Sequence, residues 1–253
     1  MFIIYVIIIF MEKKIIQSLW VGNSLSNLEI LSIKSYQKFN NEFHLYIYNN
    51  IDNIPKGVII KDANKIVPKE KIFKYTDQNT YSGFSNYFRY KLLYLMGGYW
   101  TDIDIVCLKD FDYKNEHVFC LEKTAILRFW KRDINNCFIK SPKNSKIMKY
   151  CYEYCDKLDV KKIKHGETGP KLLTKIVPAF KNENIKILKS YIINPVPYDH
   201  IKRVIKKNGN LNNVIRKSNC IHLYNDVWRR NNINKNDTFP KTSIYEILKK
   251  EII

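Results

Sequence analysis

Two carboxylates stand one residue apart, Asp102 and Asp104, just after a double glycine in the stretch GGYWTDIDIV. Read as one continuous strand over Tyr99–Val106, the alternation sends both aspartates out of one face and turns Ile103 and Ile105 into the core. Neighbouring carboxylates in an apolar strand repel each other and lose hydration. A divalent cation removes that penalty, and hard oxygen ligands select Mg²⁺ or Mn²⁺, which keep open positions for phosphate oxygens. A bare Asp-x-Asp is common and often marks only the wet face of a strand. Here the surroundings favour chemistry. The pair sits at a strand's C-terminal end, where open α/β sheets bind ligands. The helix-stopping Gly97-Gly98 precedes it, and Asn86 and Arg89, three apart, share a helix face just upstream.

The elements that position this pair follow from the apolar pattern. Lys14–Val21 reads as a buried strand closed by Gly22 and Asn23. Ser26 and Glu29 form a capping-box pattern ahead of a helix carrying Leu28, Leu31, Tyr36 and Phe39. Strands at Phe43–Tyr48 and Gly57–Lys61 complete an α/β opening with parallel pairing. Residues 62–84 form a long irregular connection, a helix runs over Ser85–Met96, and strands lie near Val118–Leu121 and Cys137–Ile139. A helix over Ser145–Leu158, another after Gly169-Pro170 and a strand over Cys220–Leu223 follow. No repeat and no linker divides the chain, which reads as a single domain over residues 13–253 behind an apolar extension at residues 1–12.

Composition bounds the function classes. With 253 residues, 45% of them apolar and 14% aromatic, the chain can bury its own core and is not disordered. The net charge of +19 is lopsided: residues 1–126 carry +2 and residues 127–253 carry +17. Such a field favours anionic partners, phosphates, acidic glycans or lipid headgroups among them. Lysine, asparagine and isoleucine are all abundant and share A/T-rich codons, so a solvated Lys-rich surface is the simpler source of the charge. No zinc finger, helix-turn-helix, RNA-recognition motif or basic repeat supports a nucleic-acid partner. Six cysteines without a C-x-x-C pair indicate a reducing, cytoplasmic setting. The opening MFIIYVIIIF falls short of the ~20 residues that span a bilayer and lacks the flanks of a signal peptide. It would serve at most as a weak interfacial anchor, making peripheral membrane attachment the alternative, and Met11 reads as a natural start.

Taken together, Ser85-Asn86-Tyr87-Phe88-Arg89-Tyr90, Gly97-Gly98, Trp100 and Asp102-Ile103-Asp104 resemble the DXD sugar-binding glycosyltransferases. The likeness is to glycosyltransferase family 32 and its relatives: α-1,4-galactosyltransferases, yeast α-mannosyltransferases and, more distantly, the clostridial glucosylating toxins. It extends to IIQSLWVG at 15–22, GETGP at 166–170 and HLYNDVW at 222–228, and so spans roughly residues 13–230. The resemblance implies an α/β, GT-A-like, Rossmann-type three-layer sandwich with a mostly parallel central sheet. It also implies a metal-dependent retaining transfer, with Mn²⁺ or Mg²⁺, from a UDP- or GDP-sugar to a hydroxyl of a glycan, lipid or protein acceptor. The basic C-terminal half favours an anionic acceptor.

The family's roles carry over residue by residue. Trp20 would stack on the donor base, Ser85, Asn86 and Arg89 would meet the donor, and Trp100 would line its pocket. Asp104 would ligate the metal directly, Asp102 would touch ribose, sugar or the metal's shell, and His222 would add a metal or pyrophosphate contact. Asn225 and Trp228 would close the donor site, and Glu167 would position the acceptor hydroxyl. The family usually has Asp where this chain has Asn86, which removes a charge partner for Arg89. An inactive nucleotide-sugar binder is therefore the alternative reading.

Overall fold

The computed structural model describes residues 13–75, 78–126, 129–207 and 215–253; the apolar opening run and the extension at 1–12 lie outside them. The chain opens with β1 (Ile15–Trp20), α1 (Asn27–Lys38), β2 (Glu42–Ile47) and β3 (Ile59–Asp62). The capping box at the start of α1 is formed: the Ser26 amide donates to Glu29 Oε2 at 2.7 Å, and Ser26 Oγ accepts from the Leu28 amide. Both neighbours of β2 pair with it in parallel, as the α/β opening predicts.

Helix α2 (Ser82–Met96) begins three residues before the predicted start and ends on Gly97, whose amide donates to the Leu93 carbonyl at 2.9 Å. Gly97 and Gly98 both take positive φ, +67° and +87°. A Cβ on Gly97 would lie 2.6 Å from the Lys143 amide nitrogen, so the position refuses any side chain on two counts. Gly97→Ala is expected to cost about 1–3 kcal/mol, seen as a fall in Tm of several degrees with the far-ultraviolet spectrum unchanged.

From this turn β4 (Gly98–Thr101) enters the sheet between β1, parallel, and β7 (Phe129–Ser141), antiparallel. The predicted single strand over Tyr99–Val106 is broken. After Thr101 the chain turns, with the Ile105 amide donating to the Asp102 carbonyl at 3.1 Å. It resumes as β5 (Ile105–Cys107), which pairs antiparallel with β9 (Cys220–His222) in a separate two-stranded sheet. Asp102 and Asp104 therefore flank a turn between two sheets instead of alternating along one strand. Ile103 and Ile105 are nonetheless buried, as predicted.

The seven-stranded sheet has the order β3-β2-β1-β4-β7-β6-β8, with β6 at His117–Ile126 and β8 at Ile185–Leu188. Four of its neighbouring pairs are parallel; only β7 runs against both its partners. The β6–β7 hairpin is much longer than the two short strands predicted, because its outer part carries consecutive charged residues, Glu122-Lys123 and Arg132-Asp133, that hide the apolar pattern of a strand. Alternating sheet residues feed two cores. Leu19, Tyr46, Trp100 and Ile139 pack with Phe84 and Phe88 of α2, Met148 and Cys151 of α3 (Lys146–Asp156) and Leu173 of α4 (Pro170–Ile176). Ile16, Leu45, Tyr99 and Phe138 pack on the opposite face with Ile33 and Tyr36 of α1. The result is the three-layer α/β sandwich with a mostly parallel sheet.

A third cluster joins Leu28 and Leu31 of α1 to Trp228 of α6 (Asn225–Arg230) and Tyr245 of α7 (Ile244–Ile252); α5 (Ser190–Ile193) is a single short turn between them and β8. All six cysteines are free and buried. Among the described residues no helix is long and apolar enough to cross a membrane.

Candidate active site

Asp102 leaves the sheet at the C-terminal end of β4 and is held from behind. Arg89 Nη2 lies 2.9 Å from its Oδ1, and the Trp100 indole N–H donates to the same oxygen at 2.9 Å. Arg89 is itself almost wholly buried. It donates to the Ser85 hydroxyl and carbonyl at 3.0 and 3.2 Å and to the Asn136 carbonyl, while its guanidinium lies 4.9 Å from the Trp100 ring centre. Burial pushes the Asp102 carboxyl up, Arg89 offsets part of that rise, and neighbouring Asp104 adds to it.

Asp104 is buried from the other side. Its Oδ2 accepts from the Asn225 amide at 2.7 Å, and its carbonyl accepts from the Leu223 amide at 2.9 Å. Its Oδ1 is buried without a hydrogen bond, 3.2 Å from His222 Nε2. Asn194 fixes the histidine: its Nδ2 donates to the Leu121 carbonyl at 3.0 Å, leaving its Oδ1 as the acceptor for His222 Nδ1 at 3.1 Å. Nδ1 therefore carries the proton in the neutral ring, and Nε2 presents a lone pair toward the aspartates. Tyr224, with φ of +50°, stacks on the imidazole at 3.8 Å and 22°. Burial works against charge on Asp104, yet His222 and the Asn225 amide outweigh it and hold the carboxyl below its usual range. Burial likewise works against the imidazolium, and Asp104 outweighs it and raises His222.

One ligand atom each from Asp102, Asp104 and His222 lies within 4.8 Å of the others. Two carboxylates, one imidazole nitrogen and an orphaned buried oxygen fit a divalent cation. A pocket of about 260 Å³ opens beyond the ends of β1 and β2, walled by Trp20, Gly22, Tyr48, Asn49, Lys69 and Tyr81.

Residues 20–120 match the family model described as "Glycosyltransferase sugar-binding region containing DXD motif". The similarity to that family covers 101 of the 253 residues. No curated protein matches it. Among solved structures it is similar to the PaToxG glycosyltransferase, at 19% identity over 67% of this chain and 72% of that one, with a TM-score of 0.44. It is also similar to the apo-form glycosyltransferase GlyE in Streptococcus pneumoniae, at 13% identity over 71% of this chain and 46% of that one, with a TM-score of 0.39. The chain thus spans less than half the length of GlyE.

The matched stretch holds Trp20, Ser85, Asn86, Arg89, Trp100, Asp102 and Asp104. His222 and Asn225 come from outside it, delivered by the β5–β9 pairing. Of the residues singled out in the sequence, Ser85, Arg89, Trp100 and Asp102 form one group and Asp104, His222 and Asn225 another, and the two meet where Asp102, Asp104 and His222 lie within 4.8 Å of one another. Trp20 stands apart in the pocket wall, its indole donating to the Ser24 carbonyl at 3.1 Å. Asn86 does not face the aspartates: its amide meets Thr168 Oγ1 at 3.1 Å and the Asn136 amide at 2.7 Å. Arg89 finds its carboxylate at Asp102, so the missing charge at position 86 leaves it paired.

Trp228 is buried in the third core, donating to the Leu223 carbonyl at 2.8 Å and packed on Tyr245. It braces the segment bearing His222 and Asn225 from within. Glu167 bonds within its own surroundings, accepting from the Lys164 amide at 3.0 Å and the Tyr154 hydroxyl at 3.4 Å. Sequence reasoning missed Asn194, Tyr224 and Glu29. Glu29 is fully buried, accepts from Asn225 Nδ2 at 3.2 Å and pairs with Lys235 Nζ at 2.6 Å, whose ammonium sits 5.6 Å from the Trp20 ring centre. Glu29 showed only its capping-box spacing in the sequence, and nothing there marked Asn194 or Tyr224.

Proposed function

We propose that this domain moves a sugar from a UDP- or GDP-sugar to a hydroxyl of a glycan, lipid or protein acceptor, with a divalent ion, Mn²⁺ or Mg²⁺, held by Asp102, Asp104 and His222. The observation that carries the reading is Asp104 Oδ1, a buried carboxylate oxygen without a hydrogen bond, facing an imidazole nitrogen inside a DXD region. When bound, the ion supplies fixed positive charge and Lewis acidity to the departing diphosphate. Asp104 and His222 bind it, and the Asn225 amide and Asn194 aim their ligand atoms. Arg89 and Trp100 are positioning residues that act through Asp102.

Trp20 stacks on the donor base from the pocket wall, and Ser85 and Asn86 support the donor side through Arg89 and the Thr168 loop. Glu167, in that same loop, orients the acceptor hydroxyl. The anomeric configuration is retained, as the family resemblance implies. The setting is cytoplasmic, in keeping with six free cysteines.

A panel of UDP- and GDP-sugars, assayed for hydrolysis after chelation and again with Mn²⁺ restored, tests the reading. Mn²⁺-dependent loss of at least one donor is expected. A panel untouched with or without the metal, although a nucleotide sugar binds, would leave an inactive binder instead.

The ion must displace the proton from His222, which Asp104 holds above the usual histidine range while remaining ionised itself. Mn²⁺ affinity is therefore expected to weaken as pH falls through that raised value, by up to about tenfold per unit below it, and to level off above it. Calorimetric titration at a series of pH values checks this. His222→Asn is expected to bind more weakly with the slope gone.

A further inference from the structure

A second group of ligand-type side chains stands at the other end of the sheet. Strands β6 and β8 run parallel from the pair His117–Ile185, with the His117 amide donating to the Asn184 carbonyl at 3.0 Å. Glu116 lies immediately ahead of β6 and Glu183 two residues ahead of β8. A ring nitrogen of His117 and a carboxylate oxygen of each glutamate fall within 4.8 Å of one another. Since β6 and β4 both run against β7, the start of β6 lies at the end of the sheet opposite Asp102, which follows β4. The group shares no residue with the site described above.

Acidic side chains alone gather at many surfaces. The imidazole sets this group apart. His117 is fully buried; its Nε2 meets the Ser145 hydroxyl at 2.8 Å, and its Nδ1 is buried with no hydrogen-bond partner. Ser145 Oγ is in turn pinned as the cap of α3, accepting from the Met148 amide at 3.2 Å. A histidine fixed through one ring nitrogen, with the other buried without a hydrogen bond and the ring beside two carboxylates, resembles the way proteins orient a metal ligand. Burial also pulls the His117 imidazole below its usual range, which keeps it in the neutral form a metal needs. The Lys146 ammonium lies 3.8 Å from Glu183 but is mostly solvent-exposed, so it offsets little of the glutamates' charge.

We propose that Glu116, His117 and Glu183 form a second cation site, of the zinc class, that clamps edge strand β8 to β6. One imidazole and two carboxylates suit Zn²⁺ better than Mg²⁺, and three protein ligands leave a fourth position to water. The clamp has structural use: β8 is a four-residue edge strand held by one ladder, with Ile187 exposed.

The test uses the full chain carrying Asp104→Asn, which silences the first site, titrated with Zn²⁺ alone by calorimetry and by Tm. One equivalent is expected to bind and raise Tm. Adding Glu116→Gln with Glu183→Gln is expected to weaken binding at least about tenfold and to abolish the Tm rise. Glu116 is exposed, so Glu116→Gln alone supplies a variant certain to leave the core intact, and it is expected to weaken Zn²⁺ in the same direction. Failure of the Asp104→Asn protein to bind Zn²⁺, binding indifferent to the glutamate substitutions, or equal stabilisation by Mg²⁺ would overturn the proposal.

Discussion

Asp104→Asn is expected to lower Mn²⁺-dependent donor turnover at least about 100-fold while leaving the fold intact. The substitution is nearly isosteric. The asparagine carbonyl can still accept from the Asn225 amide, which Asp104 Oδ2 now does at 2.7 Å. The new NH₂ would then occupy the place of Oδ1, 3.2 Å from His222 Nε2, and donate to the lone pair that Asn194 leaves there. Every buried polar group thus finds a partner, and stability is preserved. What disappears is the anionic oxygen that faces His222 Nε2 without a hydrogen bond and is free to ligate a cation. Turnover at saturating Mn²⁺, measured beside a thermal melt, separates the two effects. Lost activity with an unchanged melt is the expected result.

Arg89→Met is expected to act in the opposite register, on stability first. Arg89 is buried to within a few per cent, and its removal strands the Asp102 carboxylate next to Asp104 with only the Trp100 N–H to answer it. Breaking a buried ion pair from one side costs about 3–5 kcal/mol. A quarter of the Asp102 side chain still reaches solvent, which places this case near the lower end, about 3 kcal/mol. Burial already raises the Asp102 carboxyl, and only its charged form misses the guanidinium. The loss should therefore grow as pH rises through that raised value and shrink below it. The double variant Arg89→Met with Asp102→Asn should lose less than the two single losses combined, because an amide needs no countercharge. Denaturant unfolding of the four proteins reads all of this; strict additivity would contradict the pairing.

The residues that carry the chemistry were legible where local pattern governs them. The positive-φ glycines, the capping box on Glu29 and the inward Ile103 and Ile105 all follow from short-range spacing. Arg89 was marked by its place on the helix before the double glycine, and the structure pairs it with Asp102. What the sequence could not carry is long-range pairing. The break after Thr101 exists because β5 leaves the central sheet for β9, a partner in the C-terminal part of the chain. That excursion brings His222 and Asn225 onto Asp104 and makes Asn194 and Tyr224 part of the site. Trp228 looked like a ligand-facing aromatic in a short motif, but the apolar surface of α1 and α7 claims it for the core. Glu29 did double duty: the same carboxylate that caps α1 reaches Asn225 and Lys235, contacts with no local signature.

The most direct test is a calorimetric titration of UDP and GDP into the wild-type chain and into Asp104→Asn, each with and without Mn²⁺. If the aspartates hold a cation that in turn holds a diphosphate, Mn²⁺ should tighten binding of one nucleotide at least about tenfold in the wild type and leave it unchanged in Asp104→Asn. Nucleotide affinity indifferent to Mn²⁺ in the wild type, or equally strengthened in the variant, would contradict it.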